Sequence, residues 1–182
     1  MFARTKRLTL RPAWPEDATA LARAIGHEAV ARMLMRVPFP YEPSDAEAFC
    51  SLPRGPHEPR FLIETHENGS PVLIGGIAID DQGGGDMLFG YWLTPSAWGR
   101  GYATEAGHAV VDMARHALPV RRLSAWHFVD NPASGAVLRK LGFHCTGQAL
   151  VKTSAGRREP AAAIGYALDL DEVEQEPMRC AA

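Results

Sequence analysis

Residues 96–109, with the sequence SAWGRGYATEAGHA, combine small residues, one cation and the beginning of a predicted helix. Gly99, Gly101 and Ala103 alternate with larger side chains. The first N–H groups of a helix lack partners within it, and the helix dipole makes that end positive. Small residues leave those N–H groups open to a phosphate, although they also simply permit close packing. The stretch therefore fits an anion site, with Arg100 adding charge at its rim.

Two better-known phosphate-binding motifs do not match this stretch. A P-loop requires G-x-x-x-x-G-K-[ST], a spacing that the chain lacks. A dinucleotide fingerprint requires G-x-G-x-x-G within a βαβ unit, but Thr104 stands where the third glycine would be. The strands predicted before the loop are also antiparallel. A Rossmann domain is therefore not predicted.

Hydrophobic periodicity predicts the elements that position the loop. An antiparallel meander is expected over residues 60–94, and a helix runs from the loop to about Leu118 with an apolar period near 3.6. A later helix in DNPASGAVLRKLGF has Asn131 as N-cap, Pro132 at its first position and Gly142 as C-cap. The other predicted elements are a strand at 7–11, a helix in WPEDATALARAIG, two short helices around a proline-rich loop within 29–50, and strands in RRLSAWHFV, 143–152 and 159–170.

Length, charge and cysteine content limit the possible functions. The chain has 182 residues, enough for one domain, which we expect over 1–172 with a loose tail at 173–182. A net charge of −2 gives no reason to expect nucleic acid or anionic membrane as a partner. There is no apolar run of about eighteen residues and no apolar signal-peptide core. Three widely spaced cysteines argue against a disulfide framework or a metal site, and favour a cytoplasmic location.

Two motifs taken together resemble the GNAT superfamily of acetyl-CoA-dependent N-acetyltransferases. They are GYWLTPSAWGRGYATEA and, further along, DNPASGAVLRKLGF, and the resemblance covers nearly the whole chain. Within the superfamily the match is to the RimJ/RimL type, which acetylates the N-termini of ribosomal proteins. The resemblance implies an α+β fold: a mixed, mostly antiparallel sheet of six to seven strands flanked by helices, with a splay between the fourth and fifth strands.

The resemblance also implies how acetyl-CoA, the cosubstrate, is bound. In this family the loop matching residues 98–104 holds the pyrophosphate of coenzyme A through backbone N–H groups. The pantetheine arm is expected in the splay, beside the backbone near Tyr91, Trp92 and Leu93, where its amides pair like an added strand. Asn131 matches the family asparagine that bonds pantetheine, and a plain N-cap is its alternative role. The loop residues assigned to the cofactor are Trp98, Gly99, Arg100, Gly101, Tyr102, Ala103 and Thr104.

The family reaction is direct attack of an amine on the thioester, so the chain needs an acid and at most a weak base. Many GNAT enzymes have a tyrosine acid where this chain has Leu138. Ser134 is therefore the candidate acid and cofactor contact, with water as the alternative. No unambiguous base is present: Glu64, which shares a strand face with His66, and Tyr91 are the candidates. Glu64 is preferred among them, although a solvated strand residue is the more common role for such a carboxylate. Cys145 has no neighbouring base and is interpreted as structural.

Three functions remain open on the sequence. The first is acetylation of a protein or peptide α-amino group, the second is acetylation of a small amine, and the third is a non-catalytic acyl-CoA-binding module. The acceptor pocket is expected within residues 27–60, where ARMLMRVPFPYEP is largely apolar and carries Arg32 and Arg36. A pocket that is not strongly acidic favours a peptide or a weakly cationic amine. The partner is thus an amine acceptor, and the protein is expected to be a monomer or a homodimer.

Overall fold

A single mixed sheet runs through the part of the chain that the computed structural model describes, which is residues 2–53, 55, 58–67, 69–83 and 85–171. The strands are β1 (Ala3–Arg4), β2 (Leu8–Arg11), β3 (Arg60–Thr65), β4 (Val72–Asp81), β5 (Met87–Leu93), β6 (Arg122–Phe128), β7 (His144–Lys152) and β8 (Ala161–Asp169). The helices are α1 (Ala18–Ile25), α2 (Glu28–Ala31), α3 (Pro43–Cys50), α4 (Tyr102–Ala117) and α5 (Pro132–Lys140).

The strand order confirms the predicted fold and corrects the strand count. Within the described residues the sheet has eight strands in the order β1-β2-β3-β4-β5-β6-β8-β7, not six to seven. The additional strand is β1, whose two residues are too few to display an alternating pattern. The expected tail at 173–182 lies outside the described residues, and the single domain over 1–172 stays a prediction. No described helix has the length and apolar character required to cross a membrane.

The two central strands part soon after they begin. Strands β5 and β6 are parallel and pair only at Met87 with Leu123 and at Leu88 with Ser124. Beyond that point β5 stays paired with β4 as far as Leu93, and β6 stays paired with β8 as far as Phe128. The gap between β5 and β6 is the splay that the family resemblance implied between the fourth and fifth predicted strands.

Helices cover both faces of the sheet. The apolar stripe of α4 packs against one face of the sheet together with α5. Helices α1 and α3 pack against the other face. This stripe follows the predicted helical period, because its buried residues recur every three to four positions. They are Tyr102, Ala103, Ala106, Gly107, Val110, Val111 and Ala114.

The ends of α5 agree with the sequence, apart from one position. The Asn131 side chain accepts a hydrogen bond from the N–H of Ser134, and Pro132 opens the helix as predicted. The C-cap itself is Leu141 rather than Gly142. Gly142 is the residue after the cap, with a left-handed φ of 89°, a conformation that glycine adopts without steric cost.

Gly75 and Gly90 provide a matched test of how closely β4 holds β5. A β carbon on Gly75 would lie 2.3 Å from the carbonyl oxygen of Trp92, whereas one on Gly90 would meet nothing within 4 Å. Since backbone cannot rotate out of the way, we expect Gly75→Ala to lower the free energy of unfolding by about 1–3 kcal/mol. Gly90→Ala should unfold in urea close to wild type. Equal midpoints for the two variants would show that β5 is not tightly held.

Candidate active site

A cavity of about 1210 Å³ opens where β5 and β6 part. Its wall includes Tyr91 and every residue predicted to bind the cofactor except Arg100. Much of the predicted acceptor region, from Glu28 to Pro38 and along α3, forms the opposite side. In the described part of the chain, no three His, Cys, Asp or Glu side chains are grouped so that they could hold a metal ion. The splay thus brings the two predicted motifs together at one cavity.

The loop before α4 has the geometry of an anion site. Gly99 and Gly101 have left-handed φ values of 72° and 78°, and Gly101 is the N-cap of α4 with no side chain to cap it. The carbonyl oxygen of Gly101 accepts from the N–H of Glu105 at 3.0 Å, the first bond of the helix. The N–H groups of residues 102–104 therefore have no partner within the helix. They border the cavity, where a phosphate could accept from them.

A polar clamp from the β1–β2 connection fixes this loop. The carboxylate of Glu105 accepts hydrogen bonds from Thr5 Oγ1 at 2.6 Å, Arg7 N–H at 2.9 Å and Arg7 Nε at 2.7 Å. Arg7 Nη1 also donates to the carbonyl oxygen of Arg100 at 3.0 Å. The clamp joins the loop to the first turn of α4, so the glycine backbone is held despite its intrinsic freedom.

The Arg100 side chain does not lie at the rim of the cavity as predicted. Its Nη2 is 3.4 Å from a carboxylate oxygen of Glu67, which also accepts from the Tyr102 hydroxyl. This pairing directs the guanidinium away from the cavity wall and partly neutralises it. The cofactor role of Arg100 stays a prediction.

Only alternate residues of β5 present backbone groups to the gap. The N–H of Thr94 donates to a carbonyl oxygen of β4 at 2.8 Å, so the two-residue period of a strand turns Trp92 toward β4 as well. Tyr91 and Leu93 consequently face the gap, where no described residue of β6 pairs with them. The Leu93 carbonyl oxygen already accepts from Trp98 Nε1 at 2.8 Å. Trp92 therefore offers the cavity its indole, and not the backbone contact that was predicted.

Tyr91 and Ser134 meet across the gap. The Tyr91 hydroxyl donates to Ser134 Oγ at 3.0 Å, and Ser134 N–H donates to Asn131 Oδ1 at 3.3 Å. Burial raises the pKa of Tyr91 to about 12, against the opposing hydrogen bond to Ser134. At neutral pH Tyr91 is therefore a proton donor and not the base that was considered. Leu138, one turn further on, is buried in the core and carries no acid.

Glu64 is not brought to the cavity. Its carboxylate accepts from Arg11 Nη2 at 2.6 Å, and Arg11 also holds Asp17 at 2.7 Å. All three side chains are nearly buried. Glu64 lies on β3, next to β2, which carries Arg11. Because its carboxylate is bound by Arg11 away from the cavity, Glu64 is not placed to act on an amine bound there.

His127 is a buried cavity residue that the sequence pattern did not single out. Its Nδ1 lies 2.8 Å from the carbonyl oxygen of Phe128. A β carbon on Gly135 would be 2.5 Å from its Nε2, so the glycine of α5 makes room for the ring. A single histidine in a strand gives no spacing signal, because only the parting of the strands exposes it to the cavity.

The charges around the cavity are balanced, so it is not an acidic pocket. Apolar residues such as Met33, Leu34 and Met35 form much of the acceptor side. The charged lining residues are Glu28, Asp45, Asp80 and Asp130 together with Arg32, Arg36, Arg60 and Lys140.

Comparisons with known proteins find similar sequences. The model of the acetyltransferase (GNAT) domain matches residues 7–144. An uncharacterized N-acetyltransferase, p20 of Bacillus licheniformis, is 29% identical over 147 residues, which are 79% of this chain and 82% of that protein.

Two solved structures share the fold. RimL, a ribosomal L7/L12 α-N-protein acetyltransferase in complex with coenzyme A, superposes with a TM-score of 0.78 at 20% identity, covering 94% of this chain and 99% of that one. A spermidine N-acetyltransferase from Vibrio cholerae, in complex with CoA and spermine, superposes with a TM-score of 0.74 at 18% identity, covering 91% and 97%.

Glu105→Gln tests whether the clamp fixes the loop. Glutamine cannot hold Arg7 by charge, so we expect the Kd for acetyl-CoA, measured by calorimetry, to rise about fivefold, equivalent to about 1 kcal/mol. Asp112→Asn, which removes an exposed carboxylate from the same helix, is the matched control and should leave the Kd unchanged. An equal Kd for acetyl-CoA in both variants would show that the clamp does not influence cofactor binding by the loop.

The same variant should alter the acid sensitivity of the fold. Burial opposes ionisation of Glu105, but the bonds from Thr5 and Arg7 outweigh it and lower its pKa. The carboxylate therefore stabilises the fold fully above its ordinary pKa of 4.5, and this contribution is lost as the pH falls through the lowered value. The difference in unfolding free energy between wild type and Glu105→Gln should shrink between about pH 6 and about pH 3. A constant difference would contradict this.

Proposed function

The chain belongs to the GNAT acetyltransferase family, whose members are N-acetyltransferases that use acetyl-CoA, and we propose that it acetylates the α-amino group of a protein or peptide. The observation that carries the proposal is the Tyr91–Ser134 hydroxyl pair at the parting of β5 and β6, with the glycine loop at the same cavity. The loop would take the pyrophosphate, and the gap would take the pantetheine. The thioester would then reach the hydroxyl pair.

The pantetheine would be held as a partial strand. Its amides can pair with the Tyr91 N–H and C=O and with the Leu93 N–H, which face the gap. Asn131 uses its side-chain oxygen as the helix cap, which leaves its NH₂ group to donate to the cofactor. Both hypotheses for Asn131, cap and ligand, are thereby compatible, with one function for each end of the amide.

The hydroxyl pair supplies a proton where the thiolate leaves. Tyr91 donates to Ser134 Oγ, so the serine's own proton is available to a third group. In the reaction the amine nitrogen forms a bond to the acyl carbon, the carbon–sulfur bond breaks, and the sulfur takes a proton from Ser134. Tyr91 stabilises the serine oxygen until the proton lost by the attacking nitrogen restores the hydroxyl through solvent. The demand is modest, because a thiol of pKa about 8.5 leaves readily.

An α-amino acceptor matches a site without a strong base. Such a group has a pKa near 7.8, so a substantial fraction is already neutral at neutral pH, whereas a lysine near 10.4 is almost fully charged. Glu64 is bound to Arg11 and Tyr91 is protonated, and so neither is proposed as the base. Water in the cavity would accept the proton instead.

The balanced charges of the cavity favour a peptide over a polyamine. A polyamine carries several positive charges, which an excess of carboxylates would stabilise, but the lining contains four acidic and four basic residues. The apolar wall at Met33–Met35 suits the first side chains of a peptide.

A panel of acceptors tests this preference. Release of free CoA would be followed with short peptides beginning with alanine or serine, the same peptides with blocked N-termini and a lysine side chain, and spermidine. We expect kcat/KM to be highest for a free α-amino group, because only that amine has a substantial neutral fraction without a base. A higher kcat/KM for spermidine would identify a small amine, and not a peptide, as the acceptor. If none of the acceptors in the panel supported CoA release, the proposal would be contradicted altogether.

Ser134→Ala and Tyr91→Phe test the mechanism. Removal of the acid should lower kcat by about 10²-fold, at the low end for general acid catalysis, while the Kd for acetyl-CoA stays near wild type. Tyr91→Phe should lower kcat by a smaller factor, since the serine proton remains. Asn131→Ala is the contrasting variant: it should weaken acetyl-CoA binding and cost about 1 kcal/mol of stability through the lost cap. Full turnover in Ser134→Ala would assign the acid to water.

A further inference from the structure

The acceptor side of the cavity is walled by a segment that has little regular structure of its own. Residues 32–38 follow the single turn of α2 and precede α3 without belonging to a helix or strand. They line the cavity throughout. A segment without a hydrogen-bond ladder must satisfy its carbonyl groups elsewhere, and whatever does so fixes its position.

The β7–β8 loop supplies those hydrogen bonds. Ser154 Oγ donates to the carbonyl oxygen of Leu34 at 2.7 Å and lies 3.2 Å from that of Ala31. The N–H of Ala155 donates to the carbonyl oxygen of Met35 at 2.9 Å. Ser154 is only 7% exposed, so these bonds are shielded from competing water. The wall is thereby tied to residues more than a hundred positions away in the chain.

Gly156 allows the two backbones to approach closely. A β carbon there would lie 2.7 Å from the carbonyl carbon of Ala31 and 2.8 Å from the nitrogen of Arg32. Both contacts are to backbone, so no change of rotamer would relieve them. The loop and the wall are therefore in direct main-chain contact.

Arg157 joins the wall to the helix that carries Ser134. Its Nε donates to the carbonyl oxygen of Arg32 at 2.6 Å, and its Nη2 lies 2.8 and 2.9 Å from the two carboxylate oxygens of Asp130. Asp130 immediately precedes the N-cap of α5. The guanidinium also lies 4.3 Å over the Phe128 ring at the end of β6. One nearly buried side chain, 12% exposed, thus spans the wall, the end of β6 and the start of α5.

We propose that Arg157, with Ser154, is a positioning residue that sets the distance between the acceptor wall and the Ser134 hydroxyl. The inference rests on the proposed function, because it assumes that the amine enters along this wall. Arg157 is not among the residues that line the cavity. It acts by holding Arg32 and Asp130 in one arrangement, so that an acceptor against the wall has its amine in line with the thioester. Attack is sensitive to such placement, since a shift of about 1 Å can cost about 10²-fold in rate.

Arg157→Ala and Arg158→Ala form a matched pair that tests this role. Both remove one arginine from the same loop, but Arg158 is exposed and makes no described hydrogen bond or ion pair. Kinetics would be measured with the best peptide of the acceptor panel. We expect Arg157→Ala to raise the KM for the acceptor roughly tenfold, or else to lower kcat/KM for the acceptor by more than tenfold. The KM for acetyl-CoA should stay within about twofold of wild type. Arg158→Ala should match wild type in both.

Arg157→Lys should not restore function. A single ammonium cannot serve both the Arg32 carbonyl and the Asp130 carboxylate with the fixed fork of a guanidinium. Ser154→Ala, which is nearly isosteric and removes the hydroxyl that donates to the Leu34 carbonyl and accepts from the Gly156 N–H, is the second variant if Arg157→Ala unfolds. It should show the same division between the two substrates with a smaller factor.

Hydrogen exchange of the wall provides a readout that does not depend on activity. We expect faster exchange in residues 31–37 in Arg157→Ala and Ser154→Ala, with no change in the glycine loop before α4 or in Arg158→Ala. Unchanged exchange, or an acceptor KM and acetyl-CoA KM that rise together, would overturn the positioning role. If wild type acetylated nothing in the panel, the proposed function would fail, and exchange alone would decide whether the loop fixes the wall.

Discussion

The divergence of β5 and β6 is the constraint on which the site depends. Parallel pairing at Met87 and Leu88 brings the strands together, but each is then held by its outer neighbour, β5 by β4 and β6 by β8. Each outer ladder has seven residue pairs against two in the centre, so the sheet opens at its middle and stays intact on both sides. The opening leaves the backbone of Tyr91 and Leu93 facing a cavity, and a ligand with amide groups can complete the ladder.

Remote polar contacts hold the two irregular segments beside this opening. The glycine loop before α4 is fixed by Arg7 through Glu105, and the acceptor wall is fixed by Arg157 through Arg32 and Asp130. In both cases an arginine joins a backbone carbonyl of an irregular segment to a carboxylate in or next to a helix. Since a guanidinium has several donors in a rigid fork, it can satisfy a carbonyl and a carboxylate together. The glycine loop and the segment at 32–38 are thus held by separate clamps.

The sequence predicted what depends on neighbours along the chain. The glycines of the loop, the Asn131 cap and the α4 stripe all follow from local spacing, and the family resemblance supplied the splay. Prediction from the sequence failed where contacts between distant segments determine the role of a side chain. Glu64 was preferred as a base, but Arg11 on the adjacent strand binds it. Tyr91 was considered as a base, yet burial makes it a donor, and its contact with Ser134 joins residues 43 positions apart. Nor does any local pattern indicate that Arg7 contacts Glu105 or that Arg157 contacts Asp130.

A crystal structure with coenzyme A bound tests the central claim most directly. The account predicts that the pyrophosphate oxygens accept from the N–H groups before and within the first turn of α4. It also predicts that the pantetheine pairs with the backbone of Tyr91 and Leu93, and that the sulfur lies within hydrogen-bond reach of Ser134 Oγ. A cofactor bound in the same cavity with its sulfur away from the Tyr91–Ser134 pair would contradict the assignment of these hydroxyls to the reaction.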